Sequence, residues 1–199
     1  VTIFIDKTEY SYLKKEGPLI NNLLIKNLGF NEDNINFDNI SEEKINFLAD
    51  SIEVNLGNRR VLIKNLGIAH TKGDLIAYDF NTNTYITGDV IFIGRAAAFS
   101  DANIPMWINV INNKLDLSWD YLIPGHGSII NNKLELNDTK NWLYFLDNAA
   151  KQAVSEGDMI SEIFQYPIPK EIHHLKMKSI TLRQGIKKQL DLYRKKYIE

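Results

Sequence analysis

The amino-acid sequence predicts a layered α/β fold, and three observations lead to this prediction. Short runs rich in β-branched residues alternate with a period of two through the centre of the chain. Helical periodicity follows these runs, and the β and α patterns are segregated along the chain. The chain has 199 residues, of which 44% are apolar, and this is enough for a sizeable core. We expect one domain over residues 1–199, with residues 137–199 as a helical C-terminal extension.

The N-terminal part of the chain predicts one strand followed by two helices. The strand covers the sequence VTIFID at residues 1–6. Thr8 is expected to cap a first helix that ends at Lys15. Pro18 is expected to begin a second helix, which Gly29 closes.

The rest of the chain predicts a loop, five strands and three helices. Residues 30–46 are polar and predict a connecting loop with a helical turn near residues 42–47. Predicted strands cover residues 51–56, 60–66, 74–80 and 84–87, which form an antiparallel meander, and residues 121–124. Predicted helices cover residues 104–115, 138–156 and 178–197.

Composition excludes several classes of partner and limits which side chains can bind a metal. The formal net charge is −2, so there is no basic excess to replace the counterions of a nucleic acid. No apolar run approaches the length of a membrane span, which is about 20 residues. We therefore expect neither a nucleic-acid nor a membrane partner. Cysteine is absent, so any metal site must use His, Asp or Glu, and the only histidines are His70, His126, His173 and His174.

Three segments place a metal-competent side chain next to a predicted strand end. They are GIAHTKGD at 67–74, ITGD at 86–89 and IPGHG at 123–127, which contain His70, Asp89 and His126. If the strands are neighbours, the three side chains converge at one edge of the sheet. Two imidazoles and one carboxylate suit zinc or iron, and the carboxylate can bridge two ions. Taken singly, each segment is also typical of a plain turn.

The order and spacing of these segments resemble a known enzyme superfamily. GIAHTKGDL, YITGDVIF and DYLIPGHG, within residues 53–128, resemble the second half of the metallo-β-lactamase superfamily, which includes the glyoxalase II-type hydrolases. The loop GRAAAFSDANIPMWI and the helical tail after residue 136 further resemble the bacterial quinoprotein relay-system zinc metallohydrolases. The resemblance implies an αββα sandwich and a zinc-dependent hydrolase. Its intact form would hold two Zn²⁺ ions, with iron or manganese as alternatives.

The resemblance also implies roles for individual residues. It makes His70 the third histidine of the first metal site and His126 the terminal histidine of the second. It makes Asp89 the catalytic carboxylate that bridges both metals. In such enzymes the water shared by the two cations is ionised near neutral pH. This water attacks a small ester, thioester, lactone or lactam.

Three residues around these predicted ligands have two interpretations each. Thr71 and Asp74 resemble the turn and supporting residues behind His70, and plain turn chemistry is the alternative. Arg95 follows Asp89 on a loop that could line the substrate cleft. There its guanidinium would hold an anionic substrate group, and an ordinary salt bridge is the alternative.

The sequence departs from the superfamily pattern upstream of His70. The defining HxHxDH segment should precede this residue, but residues 1–69 contain no histidine. The resemblance therefore implies the C-terminal portion of a larger hydrolase, with a sandwich that is incomplete at the N-terminus. We expect this chain alone to bind metal weakly and to be inactive. Two alternatives stay open: a non-catalytic binding module of the same fold, and a mononuclear hydrolase that uses only these three ligands.

The spacing of the motifs favours a small-molecule substrate. Nucleases of the superfamily commonly carry an inserted domain between the bridging Asp and the last His, whereas 36 residues separate Asp89 from His126.

His173 and His174 precede a predicted helix without metal-like surroundings, so we expect a structural or surface role for them. The resemblance implies a periplasmic or secreted protein, with the cytoplasm as the alternative. It leaves the oligomeric state open.

Overall fold

The computed structural model describes residues 2–28, 42–98 and 102–196. Within these ranges the strands are β1 (Ile3–Ile5), β2 (Ile45–Phe47), β3 (Ser51–Asn55), β4 (Arg60–Gly67), β5 (Asp74–Asp79), β6 (Thr84–Phe92) and β7 (Tyr121–His126). The α-helices are α1 (Lys7–Leu28), α2 (Ile104–Asn113), α3 (Asn137–Glu156), α4 (Ile160–Ile163) and α5 (Lys178–Lys196). Short 3₁₀ turns lie at Glu42–Lys44, Lys133–Leu136 and Lys170–Ile172.

A five-stranded sheet forms the centre of the described chain, with its strands in the order β3-β4-β5-β6-β7. Strands β3 to β6 are antiparallel neighbours, which confirms the predicted meander. Strand β7 joins β6 in parallel. A parallel neighbour needs a crossover connection, and α2 lies in the chain between these two strands. Strands β1 and β2 form a separate parallel pair.

The two faces of the five-stranded sheet differ in burial. One face, the covered face, carries Tyr78, Tyr85 and Leu122, which are 5%, 1% and 0% exposed. These residues share a core with Trp107 of α2 and Trp142 of α3. The opposite face carries an apolar row in direct register across all five strands, which consists of Ile52, Ile63, Ala77, Ile86 and Ile123. Solvent reaches this open face, because Ile52 and Ile86 are 39% and 45% exposed.

The structure corrects the predicted N-terminal helices. The single helix α1 replaces the two helices that the sequence predicts. Asp6, rather than Thr8, caps it, because Asp6 Oδ1 accepts hydrogen bonds from the N–H groups of Thr8 and Glu9 at 2.6 and 3.1 Å. Pro18 lies inside the helix, where it removes one backbone hydrogen bond without ending the helix. Gly29, the predicted end of the second helix, lies outside the described residues.

The predicted loop over residues 30–46 is only partly described, because residues 29–41 lie outside the described ranges. The predicted turn near residues 42–47 consists of a 3₁₀ turn and then strand β2. In this strand Ile45 pairs with Ile3 of β1. The sequence does not predict β2 because a three-residue strand is too short to show alternation.

Strand β6 is longer than its sequence pattern predicts. It continues to Phe92, so Asp89 lies inside the strand instead of at its end. Gly88 has a φ of +50°, and the register between β6 and β7 shifts on both sides of it. This irregularity interrupts the alternation, which explains why the predicted strand stops at Thr87. Strand β7 likewise continues beyond its predicted end to His126.

The C-terminal helices are held together by a buried carboxylate. Asp147 of α3 accepts hydrogen bonds from Gln189 and Tyr193 of α5, at 2.7 and 2.5 Å, and from Lys151 at 2.6 Å. The hydrogen bond from Lys151 to Asp147 also raises the pKa of the lysine. The long helices agree with the predicted periodicity, whereas the four-residue helix α4 is not predicted. None of the helices in the described ranges is long and apolar enough to cross a membrane.

Candidate metal centre

His70, Asp89 and His126 lie together in the structure. Nε2 of His126 is 3.5 Å from Oδ1 of Asp89, and Nε2 of His70 is 3.9 Å from Oδ2 of the same residue. Each histidine therefore faces a different oxygen of one carboxylate. The structure brings all three predicted ligands together, and their role in metal binding stays a prediction.

A close approach of two strands positions the Asp89 carboxylate. Strand β7 runs beside β6, and Gly125 lies against Gly88 and Asp89. A Cβ atom added at Gly125 would lie 2.1 Å from Oδ1 of Asp89 and 2.6 Å from the carbonyl carbon of Gly88. Only glycine allows this approach, which places His126 beside Asp89.

Aromatic side chains support both histidines from the core. The fully buried ring of Phe92 stacks on His126 with a centroid distance of 5.0 Å, and it lies 5.7 Å from the ring of His70. Trp107 contacts His70 edge-on at 5.2 Å, and its Nε1–H donates to the carbonyl of Val90 at 2.8 Å. The imidazoles are therefore held in place by packing, which lowers the cost of ordering them around a ligand.

The site opens to solvent on one side. The side chain of His70 is 12% exposed, whereas those of Asp89 and His126 are 38% and 43% exposed. A small molecule can therefore approach Asp89 and His126 from solvent while His70 stays against the core.

The loop that carries His70 is closed by its own side chains. The N–H and Oγ1 of Thr71 donate to the two carboxylate oxygens of Asp74, at 2.9 and 3.0 Å. The carbonyl of Ala69 accepts a hydrogen bond from the N–H of Asn103, just before α2, at 2.9 Å. Thr71 and Asp74 thus have the contacts of a turn, and their predicted influence on His70 stays a prediction.

The start of α1 anchors the other side of this loop. The Asn65 amide donates to Asp6 Oδ2 at 2.7 Å, and the N–H of Lys72 donates to Glu9 at 3.2 Å. Gly73 lies so close to Asp6 that an added Cβ would be 2.3 Å from the Asp6 side chain. Burial of Asp6 opposes its ionisation, but hydrogen bonds from Asn65 and the α1 backbone outweigh it and lower the pKa. An ionised carboxylate therefore joins the helix to the loop.

The spacing of the three candidate ligands partly fits a metal ion. Zinc ligands lie about 2.0–2.2 Å from the ion, so two ligands of one ion are at most about 4.4 Å apart. The distances of 3.5 and 3.9 Å meet this limit and exceed ordinary hydrogen-bond lengths. In the described ranges, however, no group of three or more His, Asp or Glu side chains is arranged to hold an ion. The residues fit as part of a coordination shell.

Comparisons with known proteins identify similar solved structures. No family model and no curated protein matches the sequence. A double mutant of the sec-alkylsulfatase PisA1 has a TM-score of 0.60 and 14% identity, over 75% of this chain and 26% of that chain. PisA1 from Pseudomonas sp. has a TM-score of 0.59 and 16% identity, over 72% and 26%. The DIM-1 metallo-β-lactamase has a TM-score of 0.44 and 19% identity, over 51% and 48%.

The PisA1 structures have the metallo-β-lactamase fold. The chain has a metallo-β-lactamase-like fold. This confirms the predicted α/β class and fold type. The chain spans about a quarter of the length of PisA1, since it covers 26% of that chain. The finer resemblance to glyoxalase II-type and relay-system hydrolases stays a prediction, as do zinc and the roles of the site residues.

Arg95 lies close to the candidate metal centre of this metallo-β-lactamase-like fold. Its Cζ is 6.0 Å from the centroid of the Phe92 ring, which contacts both candidate histidines. The Nε atom of Arg95 is buried without a hydrogen-bond partner. Both interpretations of Arg95, a substrate-binding residue and a partner in an ordinary salt bridge, stay predictions.

Sequence reasoning missed the residues that support the site from α3. Oγ1 of the buried Thr139 donates to the carbonyl of Phe92 at 2.8 Å and accepts from its N–H at 2.9 Å. Asp138 accepts from the N–H of Gly94 at 2.7 Å and contacts Nε2 of His174 at 2.8 Å. A helix N-terminus was the only signal in the sequence, because the contacts to Phe92 and Gly94 join residues more than 40 positions apart.

Proposed function

We propose that the chain carries part of the active site of a metal-dependent hydrolase. The observation that carries the proposal is the convergence of His70 and His126 on the two oxygens of Asp89. The proposed substrate is a small ester, thioester, lactone or lactam. The fold shared with PisA1, a sec-alkylsulfatase, adds sulfate esters to these candidates.

The three residues would contribute ligands to two divalent ions, with Asp89 between the two histidines. Such an ion, when bound, acts as a Lewis acid and lowers the pKa of water, which makes hydroxide available near neutral pH. His70 supplies a donor that the aromatic core holds in a fixed orientation. Asp89 and His126 supply donors on the solvent side, where the substrate enters. Zinc is the proposed ion, and iron or manganese are the alternatives.

The proposed site is incomplete in this chain alone. Three ligands shared between two ions leave each ion short of the four that zinc commonly has in proteins. We therefore propose that the isolated chain binds zinc weakly and does not turn over substrate. Further ligands would come from the HxHxDH segment that the resemblance implies.

Calorimetric titration of the chain with zinc tests this proposal. We expect zinc to bind with dissociation constants of about a micromolar or weaker. Asp89→Asn should abolish this binding, because the central donor loses its charge. Asp191→Asn on the exposed face of α5 removes the same charge elsewhere and should leave binding unchanged. Submicromolar binding of two ions would show that the site is complete, and binding that is unaffected by Asp89→Asn would exclude the proposed site.

The absence of a complete ligand group in the described ranges favours one alternative, a non-catalytic binding module. The same titration separates it from the hydrolase. A module that has lost the metal site binds no zinc at millimolar concentrations, whereas a partial site binds zinc through Asp89.

A further inference from the structure

Helix α5 carries a row of cations along the side that faces solvent. The helix contains seven lysines and arginines and one acidic residue, Asp191, in a chain whose formal net charge is −2. Leu182, Ile186 and Leu190 of the same helix are buried in the core. The helical period places Asp191 and four exposed cations on the opposite side. We call these four cations the basic stripe, and they are Arg183, Lys187, Arg194 and Lys195.

The helix dipole accounts for only part of the basic stripe. Cations in the last turn of a helix complement its negative C-terminal end, and this effect falls off within that turn. Arg194 and Lys195 lie in the last turn, and Arg194 also donates to the carbonyl of Asp158 at 3.0 Å. Arg183 and Lys187 lie in the first and middle parts of the helix. The dipole therefore does not explain why these two positions are basic.

An apolar patch adjoins the beginning of the basic stripe. Its members Phe164, Met177 and Ile180 are 40%, 44% and 51% exposed. Phe164 and Met177 line a groove of about 500 Å³ together with Arg183, and Ile180 lines a neighbouring groove that also includes Arg183. Cζ of Arg183 lies 5.7 Å from the centroid of the Phe164 ring. The apolar patch and the basic stripe therefore form one continuous surface.

The backbone of Met177 adds an independent observation. Its φ is +64°, which is uncommon for a residue with a side chain. The carbonyl of Met177 accepts hydrogen bonds from the N–H groups of Ile180 and Thr181, at 3.2 and 3.1 Å, where α5 begins. A glycine would adopt this conformation without strain. A long apolar side chain that is strained and half exposed gains little from packing, and strain of this kind often marks a functional position.

We propose that the basic stripe and the apolar patch bind the surface of an anionic membrane. The basic stripe, which is about 18 Å long, would lie against the negative headgroups. Phe164, Met177 and Ile180 would enter the boundary between headgroups and acyl chains. One partner thereby complements both the charge and the apolar character of this surface.

This peripheral contact goes beyond the proposed function and does not depend on it. The sequence expectation of no membrane partner rests on the absence of an apolar run long enough to span a bilayer. A helix that lies on the membrane needs no such run, because its binding follows the apolar area that it buries and its attraction to anionic lipids.

Cosedimentation of the chain with lipid vesicles tests the proposal. One set of vesicles contains phosphatidylcholine with about a third phosphatidylglycerol, and the other contains phosphatidylcholine alone. We expect the chain to bind the anionic vesicles at least about tenfold more strongly. This binding should weaken as the salt concentration rises from about 0.1 M to about 0.5 M, because salt screens the charges. Equal binding to both sets, or binding to neither, would overturn the proposal.

Two pairs of lysines test the basic stripe. The double variant Lys187→Gln and Lys195→Gln should weaken binding to the anionic vesicles by about tenfold or more. The matched control, Lys44→Gln with Lys133→Gln, removes two exposed lysines outside α5 and should leave the binding unchanged. Equal losses in the two double variants would show that net charge alone governs the binding, and the basic stripe would be overturned.

A third double variant, Met177→Asn with Ile180→Gln, tests the apolar patch. Asn tolerates a positive φ and Gln is a good helix former, so the fold should persist, which urea unfolding checks. We expect binding to the anionic vesicles to weaken by about tenfold or more. Unchanged binding would reduce the contact to charge attraction and overturn the membrane proposal. Binding of poly-L-glutamate without binding of the vesicles would assign the surface to an acidic protein and would also overturn it.

Discussion

The two faces of the five-stranded sheet have similar residues in different environments. Tyr85 and Leu122 on the covered face are 1% and 0% exposed, because α2 and α3 pack over them. Ile86, next to Tyr85 on the same strand, is 45% exposed on the open face. The comparison teaches that the helices, rather than the apolar character of the strands, determine which face stabilises the fold. Hydrophobic stabilisation follows the apolar area that is removed from water.

The candidate metal centre depends on the covered side of this comparison. Phe92, at the end of β6, is fully buried and contacts both candidate histidines. Thr139 of α3 holds the backbone of Phe92 with two hydrogen bonds. The packing of α2 and α3 on the covered face therefore makes the site rigid, and a substrate can reach the site from the solvent side.

The largest expected effect comes from a direct test of the two faces. Leu122→Ala on the covered face should lower the free energy of unfolding by about 2–5 kcal/mol, because it leaves a cavity. Ile86→Ala on the open face should cost about 1 kcal/mol or less, because that side chain is already half in water. Urea unfolding measures both values. Equal losses for the two variants would show that the faces do not differ as the structure indicates.

A second test extends the comparison to the end of β6. Thr139→Val keeps the shape of the side chain but leaves the N–H and carbonyl of Phe92 without partners. We expect a loss of about 1–3 kcal/mol in the free energy of unfolding. Thr139→Ser keeps the hydroxyl and should lose less. A larger loss in urea unfolding for Thr139→Ser than for Thr139→Val would attribute the effect to packing instead of hydrogen bonding.

A third test concerns the contact between the strands at the site. Gly125→Ala places a methyl group 2.1 Å from Oδ1 of Asp89, so the strands or the carboxylate must shift. We expect a loss of about 1–3 kcal/mol in stability and weaker zinc binding by calorimetry. Gly57→Ala strains a glycine with a φ of +91° and meets no atom within 4 Å. This control should lose stability without losing zinc binding, and a loss of binding in both variants would contradict the local explanation.

The smallest expected effect is a pH dependence of stability at Asp6, which lies at the start of α1 and not in the layer that α2 and α3 form. The lowered pKa of Asp6 means that its ionised form stabilises the folded chain. This stability is present above the usual pKa of 3.8 and is lost as the pH falls through the lowered value. Asp6→Asn should therefore be less stable than wild type in urea at pH 7, with the difference shrinking towards pH 3. A difference that grows on acidification would reverse the assigned sign.

Local patterns predicted most of the sheet because burial on one face leaves a period of two. Strands β3, β4 and β5 begin at the predicted residues, since their alternation is regular. The pattern stopped too early in β6, because Gly88 breaks the alternation before the strand ends. At the N-terminus the cap is Asp6 instead of the predicted Thr8. The sequence could not predict this, because both are good capping residues and local sequence does not choose between them.

The sequence predicted which side chains lie together at the candidate site, but not the contacts that support them. Glycine turns beside His70, Asp89 and His126 are visible in the sequence. The support from Thr139 and the bridge from Lys176 to Arg95 depend on residues far apart in the chain, so no local pattern contains them. Candidate side chains near a strand end are therefore easier to identify from sequence than the contacts that position them.

X-ray absorption spectroscopy of the zinc-loaded chain tests most directly whether His70, Asp89 and His126 bind zinc. The claim predicts nitrogen and oxygen ligands at about 2.0–2.2 Å, with outer-shell scattering from the imidazoles of His70 and His126. This imidazole scattering should fall by about half in His126→Ala, while His173→Ala, on the surface, should leave it unchanged. Zinc bound without imidazole scattering, or a spectrum that His126→Ala does not change, would contradict the proposed site.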